Sequence, residues 1–250
     1  MLTAEYVSNA GVILSSGRAV IGIDVLSRDE NGLYPATPET EKNKIFERIG
    51  QGKLGLLVFT HHHTDHFCAE WVREAAGMNP RLRIIGTKEC AALLEEQGVS
   101  PEQIRTADPD IPYADGYRYQ YGPFSIEAVK TLHEGENYRE VSNLMLLIRA
   151  EQLLVFPGDS APGEALFARM ARAGTIDWLF APFPFMGRRL VRQQMEQYLQ
   201  VRHLFALHLP VPERDTQGWI PSAKRVCEEA KDSLPGTFFP EKPGDVALLC

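Results

Sequence analysis

Hydrophobic positions in this chain come in short runs whose period switches between two and about 3.6 residues. Near the start, residues 6–8 and 12–14 read as strands flanking Asn9-Ala10-Gly11, a turn sequence. Ser16-Gly17 then leads to 19–24, a buried strand ending in the carboxylate of Asp24. Residues 27–36 read as a loop closed by Thr37-Pro38-Glu39, with Thr37 as helix cap, proline at the first helical position and an acid in the first turn. Ile45, Phe46 and Ile49 follow at helical spacing. Residues 54–59 have β composition, 67–78 are helical, 82–85 form a strand, and Thr87 caps a helix ending at Gly98.

Strand-like segments at 117–121, 124–129, 144–148 and 153–156 come next, with Phe124, Ile126 and Ala128 alternating. The remainder alternates: helix 163–173, strand 178–180, helix 189–200, strand 204–207, helix 219–231 and strand 246–249. Strands followed by alternating helices and strands thus occur twice. That grammar predicts an α+β sandwich of two mixed sheets with helices outside. No linker divides the halves, so residues 1–250 are expected to form a single domain.

Composition narrows the class. At 44% hydrophobic and 24% charged residues the chain is ordinary for a globular protein, which excludes disordered, collagen-like and coiled-coil classes. The longest apolar runs, 54–59 and 144–148, fall far short of the ~20 residues a membrane span needs, so none is expected. The N-terminus shows no secretory signal, which predicts a cytoplasmic protein with Cys68, Cys90, Cys227 and Cys250 as reduced thiols. A net charge of −7 argues against gripping nucleic acid, which needs a concentrated basic face.

The chemistry concentrates in Thr60-His61-His62-His63-Thr64-Asp65-His66, where four of seven histidines fall within six positions after an apolar strand. If the segment stays extended, His61, His63 and Asp65 share a side and His62 faces away. His66, where strand gives way to helix, can turn toward the same point. Imidazole and carboxylate together suit zinc, and also manganese or iron. His133, Asp159 and His208 each follow a strand. Counting ligands gives one site of His61, His63 and His133 and a second of Asp65, His66 and His208, with Asp159 able to bridge them. His62 and His203 are left as surface or packing residues.

This ordered set, His61-x-His63-x-Asp65-His66 with His133, Asp159 and His208, resembles the metallo-β-lactamase superfamily of metal-dependent hydrolases over nearly the whole chain. The resemblance implies a four-layer αββα sandwich with two metals at one edge between the sheets, held by the seven residues as grouped above. Asn9-Ala-Gly-Val-Ile-Leu followed by Val20-Ile-Gly-Ile-Asp24 is similar to the branch of ascorbate-6-phosphate lactonase and N-acyl phosphatidylethanolamine phospholipase D-like proteins. That branch usually has proline where Val25 stands here. Asp24 is expected to support the metal loop through hydrogen bonds. Leu132-His133-Glu134 replaces the Gly-His-Thr preferred by glyoxalase II and true β-lactamases, so those activities lose weight.

The expected function is that of a dinuclear hydrolase acting on a small ester, lactone or phosphodiester. Two divalent metals, zinc first among them, can share a water and lower its pKa toward neutrality. The bridging hydroxide is then the nucleophile, with Asp65 as the residue that orients it. Glu134, Tyr138 and a metal-bound water all remain open as proton donor to the leaving group. Arg188 and Arg189, after a strand and before a helix, suit an anionic substrate because a guanidinium donates two parallel hydrogen bonds. An iron oxidoreductase on the same scaffold is the alternative, followed by a low-turnover metal-holding binding protein.

Overall fold

The short apolar runs pair largely in chain order. The structure, a computed structural model, describes residues 1–107, 109–229 and 236–249. Leu2–Ser8 (β1), Gly11–Ser16 (β2) and Ala19–Ile23 (β3) make an antiparallel meander. Leu54–Val58 (β4), Arg83–Gly86 (β5) and Ile104–Thr106 (β6) join it in parallel. Parallel neighbours need crossovers, and here these carry helices Glu39–Gly50 (α1), Ala69–Met78 (α2) and Lys88–Glu96 (α3).

The second sheet repeats the plan. Tyr117–Tyr121 (β7), Phe124–Leu132 (β8), Ser142–Arg149 (β9) and Leu153–Phe156 (β10) are antiparallel neighbours. Ile176–Pro182 (β11), Val201–Leu207 (β12) and Thr237–Phe238 (β13) follow in parallel. Their crossovers hold Glu164–Ala171 (α4), Phe183–Gly187 (α5), Arg189–Tyr198 (α6) and Trp219–Glu229 (α7). Val246–Leu249 (β14) returns to the first sheet, antiparallel to β1. Each sheet therefore has seven described strands, three antiparallel contacts and then three parallel ones.

Alternation sorts the side chains into three apolar layers. Ile21, Ile23, Leu56 and Val58 meet Leu144, Leu146, Ile148 and Phe156 in the core between the sheets. Leu54 and Leu57 face α1 to α3 with Ile45, Ile49 and Val72, while Met145 and Leu147 face α4 to α6 with Phe167 and Met195. The run 144–148 is apolar throughout because its strand is covered on both faces. The result is the four-layer αββα sandwich expected from the resemblance. No described helix is long and apolar enough to cross a membrane.

Several local expectations need correction. Thr37 does not cap α1: its hydroxyl donates to the Val25 carbonyl and accepts from the Ser27 amide, and the helix starts after Pro38. The three-residue β6, the two-residue β13 and the five-residue α5 carry too few apolar positions for periodicity to reveal them. The expected helix 219–231 is described to Glu229, and its last two residues lie outside the described part. Cys68 and Cys90 are free, buried thiols; the Cys227 side chain and Cys250 lie outside the described part.

Candidate metal centre

Parallel pairing aims chain ends in a common direction. Asp24 follows β3 and His61 follows β4 in the first sheet; Asp159 follows β10 and His208 follows β12 in the second. His133 ends β8, which lies two antiparallel steps from β10 and so points the same way. All the candidate ligands therefore emerge along one edge of the sandwich, at carboxyl ends of strands, where open α/β sheets commonly place ligands.

The histidine segment does not stay extended. After β4 the His63 carbonyl accepts from the amides of His66 and Phe67, closing a turn. His66 therefore swings back until its ring lies 4.1 Å from that of His61, and Asp65 turns toward His208 instead of continuing the alternation. His62 stays out of the ligand groups, as expected, but it lines the cavity beside the cluster instead of facing away. His203 stacks on Trp178 at 4.7 Å and takes no part.

Three groups of potential ligand atoms lie within 4.8 Å of one another: His61, His63 and His133; His61, His66 and Asp159; and Asp65, His66 and His208. His208 Nε2 lies 3.2 Å from Asp65 Oδ2 and 3.2 Å from Asp159 Oδ2. His66 Nε2 lies 3.3 Å from Asp159 Oδ1 and 3.1 Å from His208 Nε2. Asp159 thus touches both ends of the cluster, since its Oδ2 is also 3.7 Å from His133 Nε2. A tetrahedral zinc ion with donors about 2.05 Å away spaces them roughly 3.3 Å apart. The spacings of 3.1 to 3.3 Å around His66, His208 and the two carboxylates match that edge.

Hydrogen bonds behind the cluster fix the tautomers. Thr60 Oγ1 donates to Asp24 Oδ2 at 2.7 Å, so it must accept from His61 Nδ1 at 3.1 Å. His133 Nδ1 donates to the Glu134 carbonyl at 2.7 Å. Both rings are left with a bare Nε2, and these two buried atoms have no hydrogen-bond partner. Two orphaned lone pairs, from different sheets but converging with His63 on one point, are what a cation would satisfy. The donor set fits divalent metal.

Electrostatics split the cluster in two. Burial drives His61 well below its ordinary value, with His66 and His133 adding repulsion; burial also brings His63 down to about 4 and lowers His133. All three shifts favour the neutral ring that coordinates a metal. Burial works the same way on His66 and His208, but Asp159 and Asp65 outweigh it and push both up to about 10. The same contacts overcome burial to hold Asp65 at about 2 and Asp159 well below the carboxylate range. Without metal, protons on His66 and His208 balance the two carboxylates.

Several supporting residues gave no recognisable signal in the sequence. Asn9 Nδ2 donates to the Asp65 carbonyl at 2.9 Å and to Oδ2 at 3.2 Å, and the Asn9 carbonyl accepts from the His208 amide. Asn143 Oδ1 accepts from the Asp159 amide at 3.0 Å, while its Nδ2 donates to the Pro157 carbonyl. Tyr34, from the loop after β3, packs its ring on His208 at 4.1 Å. Asn9, Asp24 and His208 all have positive φ, a costly backbone state that recurs at functional sites. Only the turn sequence around Asn9 hinted at this.

A cavity of about 960 Å³ opens over the cluster. Arg188 lines it but pairs with Glu134, Nη1 to Oε1 at 2.5 Å. Arg189 begins α6, is exposed, and is not among the lining residues. The structure does not bring the two arginines to one anion because consecutive residues at a helix start point in different directions. Glu134 and Tyr138, both open as proton donors, line the cavity, and Tyr138 lies 5.0 Å from the His63 ring. Cys68 sits at the start of α2, outside the ligand groups, with burial pushing its thiol up.

No protein-family model matches the chain, and no curated protein matches it by sequence. Solved structures do match. Igni18, a metallo hydrolase from the archaeon Ignicoccus hospitalis, is 14% identical with a TM-score of 0.66, over 98% of this chain and 97% of that one. YhfI, a metallo-β-lactamase fold protein from Bacillus subtilis, is 17% identical with a TM-score of 0.63, over 98% of each chain. CmlA, a diiron β-hydroxylase from Streptomyces venezuelae, is 15% identical with a TM-score of 0.65, over 99% of this chain and 54% of its own. At such identities the likeness establishes the fold, and the chemistry has to be argued from the site.

Proposed function

We propose that this chain, whose fold is that of the metallo-β-lactamases, is a metal-dependent hydrolase acting on a small ester, lactone or phosphodiester in the cytoplasm. The observation that carries the reading is the pair of bare, buried Nε2 atoms of His61 and His133, set among five further ligand-type side chains. His61, His63 and His133 would hold one divalent ion, Asp65, His66 and His208 a second, and Asp159 would reach both. Zinc suits this nitrogen-rich set best, and manganese or iron suit it as well. When bound, such ions supply Lewis acidity and a water acidified toward neutral pH.

The remaining work falls to this chain's own side chains. Asp65, steadied by Asn9, orients the attacking water. Glu134, paired with Arg188, and Tyr138 line the cavity and would be the side chains that meet a leaving group there. An anionic substrate would have to compete with Glu134 for Arg188, so the arginine loop supports an anion less than its sequence suggests. The net charge of −7 favours a small molecule over nucleic acid.

Metal analysis of purified protein, followed by a panel of chromogenic esters, lactones and phosphodiesters, tests the reading. About two divalent ions per chain are expected, with turnover lost on chelation and restored by zinc or manganese. A fully metal-loaded protein that cleaves nothing in the panel would overturn it. Bound iron with oxygen consumption and no hydrolysis would move the chain to the oxidoreductase alternative.

A further inference from the structure

The cavity over the metal centre has two chemically different sides. Its floor is the histidine and aspartate cluster. One wall comes from the end of β11, the start of α5 and the start of α7, and its largest members are apolar, Pro182, Phe183, Pro184 and Trp219, with Gln217 and Ser222 beside them. Phe183 and Trp219 are half-buried and stack at 5.1 Å with 12° between their planes. The Phe183 ring packs directly over Gly187, where a Cβ would stand 2.3 Å from it. Trp219 is pinned as well. Its amide and that of Ile220 donate to the Asp215 carboxylate at 2.7 and 2.9 Å, and its indole Nε1 donates to Gln217 at 3.2 Å.

A fixed aromatic pair left half-open in a concave site is poised to cover apolar surface of a ligand. Size agrees. At about 960 Å³ the cavity lies near the upper end of the range of roughly 300–1,000 Å³ seen for ligand pockets, more than a minimal ester needs. Arg188, the one arginine or lysine among the described lining residues, is already paired with Glu134, so the cavity offers little to a negative charge there.

We propose that the substrate carries an apolar group seated on the Phe183–Trp219 wall, with its scissile bond over the histidine and aspartate cluster. This deepens the hydrolase reading and rests on it for the scissile bond alone. Each methylene that leaves water on such a wall is worth about fourfold in binding. With the leaving group held constant, kcat/KM on 4-nitrophenyl esters should rise more than tenfold from acetate to hexanoate in the metal-loaded protein. Trp219→Ala and Phe183→Ala should bring that ratio toward one.

A second readout needs neither turnover nor a variant. Of the three tryptophans, Trp178 is buried in the core and Trp71 packs on α1, so Trp219 alone of them lines the cavity. Titration with 2-naphthol should move the Trp219 indole N–H resonance and leave the other two in place. Ester hydrolysis with no chain-length gain and an unmoved Trp219 resonance would overturn the apolar-group proposal while leaving the hydrolase reading intact. A Trp219 shift with no hydrolysis in the panel would support the apolar site and count against the hydrolase reading.

Discussion

Oδ2 of Asp24 lies 2.9 Å from Nδ1 of His66, with both side chains shut away from water. The same carboxylate accepts from the amide and hydroxyl of Thr60, and that hydroxyl in turn orients His61. One acid on the first sheet therefore sets the rings of a ligand in each half of the proposed centre, as carboxylates behind metal-binding histidines commonly do.

Asp24→Asn should weaken metal binding about 10- to 100-fold, the usual cost of losing such a partner. Competition with a chromogenic chelator measures it. An affinity equal to the unmodified protein's would mean that His66 and His61 are oriented by other contacts.

Metal uptake should release protons. His66 and His208 are pushed up to about 10 without metal, so at pH 7 each carries a proton that coordination must displace. About two protons per chain are expected at full loading, read as the buffer dependence of the calorimetric enthalpy. Because the ligands come from separate segments of both sheets, loading should also raise the melting temperature. At a free ion concentration 100 times Kd the gain is about 2.7 kcal/mol.

Metal-free protein should be most stable near pH 6.5, the value at which an unfolded histidine titrates. His66 and His208 are raised in the folded state, so their contribution is complete below that pH and is lost as pH climbs toward about 10. His63 is lowered to about 4, so its contribution is complete above the unfolded value and is lost as pH falls toward about 4. Denaturant midpoints of chelated protein between pH 4 and 10 check this. A midpoint that climbs steadily to pH 10 would contradict it.

Gly158 is a backbone requirement. It has a φ of 58°, and a Cβ there would lie 2.6 Å from Asn143 Oδ1 and 2.9 Å from Thr60 Cβ. Gly158→Ala should therefore displace Asn143, which holds the Asp159 amide. A stability loss of about 1–3 kcal/mol, typical of strain at a positive-φ position, is expected together with weaker metal binding. Metal content and thermal unfolding of the variant report both.

His62 and His63 differ by one position and should differ in kind. His63→Ala removes a proposed ligand and should lower metal content. His62→Ala removes a cavity wall residue and should leave metal content unchanged while shifting KM. Equal metal loss from both would place His62 in the centre and contradict the turn at His63.

What the sequence determined by itself was whatever depends on neighbours along the chain. Period-two runs such as 124–129 specify strands locally, and the twofold succession of elements follows from their order. His61, His63, Asp65 and His66 are close in sequence, and so in space whatever the fold. His133, Asp159 and His208 could be singled out because each ends an apolar strand, and strands of like direction deliver their ends to one edge. Tertiary structure decided what depends on who stands opposite. The alternation rule lost its hold at His63, where a turn is closed by hydrogen bonds that β4 cannot specify. Asn9 read only as a turn residue and Asn143 as an ordinary polar one until the two sheets set them against Asp65 and Asp159. Arg188 read as a free cation until Glu134, 54 positions earlier, was brought against it. Local sequence fixes the direction a backbone takes, but a side chain's partner across a sandwich is set only when the apolar layers close and bring distant segments together.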